Sequence, residues 1–80
     1  MTGQIMDGEV VAHVLWHADA GGYPPGGFIT ALLDAWTKAD PMNSARLGRA
    51  FPGYAQALDI LALPGGIDRL RRIHAEESRP

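Results

Sequence analysis

Glu9, His13 and His17 stand four residues apart, so on a helix they form one stripe, the most chemically suggestive set in the chain. Two imidazoles at that spacing, with a carboxylate as a further ligand, can hold zinc. The zinc-protease motif, however, carries glutamate directly after its first histidine, and Val14 stands there. Any remaining ligand would have to be His74 or a distant acid. We therefore read His13 and His17 as partly buried, hydrogen-bonded side chains bordering an apolar face, and expect no metal. Ser44 and Ser78 lack a neighbouring base-and-acid pattern. Gly21-Gly22 and Gly26-Gly27 follow no strand and lead into no Lys-Ser/Thr, so they are no phosphate loop. With 0 cysteines there is no thiol nucleophile, thiolate site or disulfide framework. No catalytic residue and no cofactor is expected, and the chain reads as a non-enzyme.

Binding residues are the better prospect. Trp16 projects from the first helix on the side away from Val10, Val14 and Ala18. It is either covered by the Tyr23-Pro24-Pro25 loop, whose proline rings pack well on aromatics, or it anchors a partner, because tryptophan, tyrosine and arginine dominate interface energetics. Arg46 and Arg49 lie with Asn43 and Ser44 in one short segment, a set that could contact phosphates or base edges. The segments joined through Asp40-Pro41 could mimic a helix-turn-helix. Against that stand Asp40 at the turn, a net charge of −2, and Gly48, which weakens its helix by about 1 kcal/mol. Arg69, Arg71 and Arg72 suit an acidic protein patch or the acidic part of a second copy. Residues 1–40 carry five acids against Lys38, and residues 41–80 carry six arginines against four acids. Such a dipolar chain favours electrostatically guided docking.

Prolines and glycines divide the chain into segments whose apolar spacing has a helical period. The first helix is predicted from about Asp7 to Asp19, its dipole favoured by Asp7 and Glu9, with Gly21-Gly22 ending it. Pro24-Pro25 forces an extended connector rather than a proline-rich ligand. The second helix spans about Phe28 to Ala39, with Trp36 mid-stripe. Asp40 as N-cap and Pro41 at the first position start a third, to about Phe51. A fourth runs from about Gly53 to Leu63, and a last from about Ile67 to Glu77. No segment alternates like a strand.

The run Gly22-Tyr23-Pro24-Pro25-Gly26-Gly27-Phe28, then Leu32-Leu33, Ala39-Asp40, Asn43, Arg46-Leu47 and Ala50-Phe51-Pro52-Gly53-Tyr54, resembles small orphan proteins of mycobacteriophages and related actinobacterial phages. The resemblance covers about residues 12–60. Members often carry serine before the phenylalanine, where Gly27 stands here, a weaker N-cap. The family has no established activity, so the resemblance carries over no catalytic residue. It implies a small phage product acting in the host cytoplasm by binding something.

The expectation is therefore one all-α domain over residues 1–80, a compact bundle of four to five short helices. Its core lies in about 7–63 and closes around Trp36, Phe28 and Phe51. The narrow stripe of the last helix makes it an arm or an oligomerisation element, since Leu70 and Ile73 need cover. No run approaches the roughly 20 apolar residues of a membrane span, and no lysine or arginine precedes Lys38, so neither a leader nor a membrane segment is expected. The expected partner is a host or phage protein met through Trp16, Tyr23, Arg46, Arg49, Arg69 and Arg72. Nucleic acid, read through Arg46, Arg49 and the last helix, is the alternative.

Overall fold

The computed structural model describes residues 7–77, and these form an all-α bundle in which five helices follow one another without a strand. They are α1 (Gly8–His17), α2 (Gly27–Lys38), α3 (Pro41–Ala50), α4 (Pro52–Leu61) and α5 (Gly66–Glu77). Local chemistry sets most boundaries. Asp7 caps α1 by accepting from the Val10 amide at 2.9 Å. Asp40 caps α3 by accepting from the Asn43 amide at 2.8 Å, with Pro41 at the first position as predicted. Phe51 closes α3 and opens α4, and Pro52 prevents the two from merging. The N-cap of α2 is Gly26 rather than Gly27, with no side-chain cap.

α1 ends differently from the expectation. The Asp19 amide donates to the Trp16 carbonyl and the Ala20 amide to the Leu15 carbonyl, the paired bonds of a Schellman motif. Asp19 itself takes the left-handed position, with φ 58°, before Gly21 and Gly22 are reached. The glycines then serve close approach: at Gly22 (φ +69°) a Cβ would come within 2.0 Å of the Ala12 carbonyl oxygen. The chain is thereby pressed back onto α1.

The core falls within the expected span apart from Leu70, but it is not centred on the large aromatics. Val11, Val14, Leu15, Ala20, Ala57, Ile60 and Leu70 form the buried cluster, drawn from α1, the turn after it, α4 and α5. Trp36 and Phe51 are only half-buried, and Phe28 is 68% exposed. Phe28 stands in the first turn of α2, straight after the proline connector, where it meets only the rim at Phe51 (ring centroids 6.1 Å apart). Trp36 ties α2 to α3 through its Nε1–H, which donates to Ser44 Oγ at 3.1 Å. The short aliphatics of α1 fill the centre because that helix is covered by neighbours on several sides.

α5 is no arm. It lies antiparallel to α1, and within one chain Leu70 is fully buried and Ile73 half-buried, while Ile67 stays exposed. A narrow stripe suffices because small residues let the backbones close up. A Cβ on Gly8 would sit 3.1 Å from Glu77 Cβ, and one on Gly66 within 2.0 Å of the Ile60 carbonyl oxygen. At the other end of the pair, Arg71 donates from Nε and Nη2 to the Ala20 carbonyl at 3.1 and 2.9 Å. The core thus extends past residue 63 to Ile73. Among the described residues no helix is long and apolar enough to cross a membrane.

Candidate functional site: an aromatic patch on the first helix

Among the described residues His13 is the one buried ionisable side chain, 8% exposed. Its Nδ1 lies 2.8 Å from the hydroxyl of Tyr54 on α4, and the two rings stack with centroids 6.2 Å apart. Burial raises the Tyr54 pKa above its ordinary value, and Glu9, Asp7 and Tyr23 push it further in the same direction. The phenol therefore keeps its proton, and the Tyr54 hydroxyl and His13 Nδ1 satisfy one another.

Tyr23 roofs this pair. Its ring meets His13 edge-on at 5.5 Å and reaches His74 of α5 at 6.5 Å, so it bridges the two helices above Ala12. Gly22, seated on Ala12, holds it there. Trp16 lies one helical turn beyond Ala12 on the same side of α1, and Glu9 lies one turn before it. Glu9, Ala12 and Trp16 therefore share one side of α1, with Gly22 seated on Ala12 and Asp19 in the turn that follows the helix. Trp16 is 42% exposed and Tyr23 47% exposed. The indole is thus partly exposed, and the Tyr23 ring contacts the two histidines.

The other residues singled out from the sequence lie apart. Arg46 and Arg49 are exposed on α3, a helix with no buried residue, and Arg46 donates to Asn43 Oδ1 at 3.2 Å. Arg69 and Arg72 are exposed on α5, three residues apart, on a different face from the Arg71–His74 ridge that meets the loop. Glu9, His13 and His17 do not close on a metal position; among the described residues no three His, Asp or Glu side chains do. The depressions are open. The groove of about 370 Å³ at the α4–α5 turn is lined by Leu61, Leu63 and Ile67, with Asp68 its only ionisable group.

Sequence reasoning missed His74, Tyr54 and Arg71 as neighbours of the loop. Tyr54 is 41 positions from His13 and Arg71 is 51 from Ala20, and no periodicity reports such pairings. Comparison with protein-family models, with curated proteins and with solved structures finds no match to this chain.

Proposed function

We propose that this chain is a non-enzymatic protein-binding module that docks a partner on the Trp16–Tyr23 patch and so modulates it. The observation that supports this most is the partial exposure of Trp16 and Tyr23, while the core is built from valine, leucine, isoleucine and alanine. A small fold that leaves almost half of a tryptophan and of a tyrosine exposed forgoes part of the roughly 1.5–3 kcal/mol that full burial of a large side chain brings. Rigid aromatics on a helix braced from below are the usual anchors of an interface. Following the resemblance in residues 12–60, the partner is a host or phage protein met in the host cytoplasm.

The nucleic-acid reading has less support. Arg46 is engaged with Asn43, and the Asp40 carboxylate caps the α3 end that would have to enter a groove.

The test is capture with a tagged chain from the producing cell, with and without nuclease, comparing the native protein, Trp16→Ala and Arg46→Ala/Arg49→Ala. The expected outcome is one stoichiometric protein, insensitive to nuclease, lost with Trp16→Ala and retained with the double arginine variant. Capture that depends on nucleic acid and on Arg46 and Arg49 would reverse the assignment. Arg69 and Arg72 then orient the complex from a second face, affecting association rate and salt dependence more than residence time.

A further inference from the structure

Asp19 is doubly disfavoured where it stands. The left-handed position after a helix belongs by preference to glycine, and another residue there costs roughly 1 kcal/mol. A carboxylate at a helix C-terminus also opposes the helix dipole. Glycine is two residues away in the chain and would serve the turn better. Strain of this kind persists where a side chain serves something besides the fold.

The charge has no internal purpose among the described residues. The nearby guanidinium, Arg71, donates twice to the Ala20 carbonyl, and its remaining nitrogen lies 4.0 Å from Asp68. Asp19 is exposed, as is Glu9 at the far end of the patch. Glu9 and Trp16 are seven residues apart, about 10.5 Å along the axis. Glu9 and Asp19 are thus exposed carboxylates toward the two ends of the α1 side that carries Trp16, and the nearby Arg71, though still charged, is held on the Ala20 carbonyl.

We infer that this patch recognises a basic segment of its protein partner, a lysine or arginine side chain lying on the Trp16 and Tyr23 rings while flanking cations pair with Glu9 and Asp19. Aromatic faces attract cations, most strongly the indole, and neighbouring carboxylates add to that attraction. The inference rests on the docking reading above and adds the partner's chemistry. The acids also make a second copy's neutral or acidic faces poor occupants.

The two indole N–H signals of the protein give the test. Trp36, bonded to Ser44, is the internal reference. Three short peptides are titrated in turn, one rich in lysine and arginine, its glutamate counterpart, and a neutral leucine-rich one. The basic peptide is expected to move the Trp16 signal and the Tyr23 ring signals but not Trp36, and the acidic peptide to move none. Asp19→Asn, which keeps a residue tolerant of positive φ, and Glu9→Gln should each weaken binding about two- to five-fold, the range of exposed ion pairs. Asp34→Asn on α2 should leave it unchanged. Equal loss from Asp34→Asn, silence of Trp16 towards the basic peptide, or movement of Trp16 with protein concentration alone would overturn the inference. If only the leucine-rich peptide moves Trp16, docking at the patch stands and the cationic partner falls. If no peptide does and capture through Trp16 also fails, both fall.

Discussion

His13 and Tyr54 show how a polar pair can sit against an aliphatic centre: the imidazole is buried only because a phenol 2.8 Å away satisfies Nδ1. Tyr54→Phe should therefore lower stability by about 0.5–1.5 kcal/mol at neutral pH, read from the urea midpoint. The raised Tyr54 pKa adds a pH signature. The folded chain holds this proton more tightly than the unfolded one, so the contribution is complete below about pH 10 and is lost as pH rises through the folded value. Tyr54→Phe should flatten part of that alkaline decline, and an unchanged profile would show that another group causes it. Gly22→Ala should be worse than Tyr54→Phe. It places a methyl within 2.0 Å of the Ala12 carbonyl at a φ of +69°, and about 2–3 kcal/mol of destabilisation is expected from thermal melts. At this scale the sequence was half legible. The cap Asp40 follows from residue type and position alone, whereas Asp7, expected inside the first turn, stands one place earlier as the N-cap of α1. The Asp19 turn did not follow from them, because Gly21-Gly22 offers the same chemistry two residues later, and only packing of the loop on Ala12 decides between them.

Five elements were legible as elements, since Pro24-Pro25, Pro41, Pro52 and Gly65-Gly66 punctuate the chain where helices must stop or start. Their packing was not legible. Ranking core residues by size put Trp36, Phe28 and Phe51 at the centre, whereas position in the bundle puts Val11, Val14, Leu15 and Leu70 there. α5 seemed peripheral because its stripe is narrow, yet Gly8 and Gly66 let it approach closely enough for that stripe to be buried. The contrast gives a ranking by stability. Leu70→Ala should cost about 2–5 kcal/mol, as for a fully buried leucine. Trp36→Ala should cost about 1–2 kcal/mol, from one hydrogen bond and a half-buried ring. Equilibrium unfolding of the two variants checks the order; the reverse order would return the core to α2. Removing α5 after Leu63 should abolish the cooperative transition rather than trim it.

On the scale of the whole molecule, the acidic first half and the basic second half of the sequence do not make two charged lobes. α1 and α5 are antiparallel neighbours, so Arg71 from the basic half comes to the end of the acidic first helix, while Arg69 and Arg72 face elsewhere. Linear charge counting could not show this, since it depends on which helices pair. What results is a local arrangement: an acid-flanked aromatic patch on α1, an exposed Arg69–Arg72 pair on another face, and exposed Arg46 and Arg49 on α3. The patch is built on the most buried helix of the fold and braced by Tyr54 and His74, so it is presented rigidly and little ordering is needed on binding. Trp16→Ala should accordingly keep the far-ultraviolet helical signal and the unfolding midpoint within about 1 kcal/mol of the native chain while abolishing partner binding. The measurement that goes straight to this point is site-specific photocrosslinking in the producing cell, with a benzophenone side chain replacing Tyr23, Arg49 or Arg72 in turn. A single discrete adduct from position 23, lost when Trp16→Ala is added, is the result the patch predicts. Adducts from position 49 or 72 with none from 23 would contradict it.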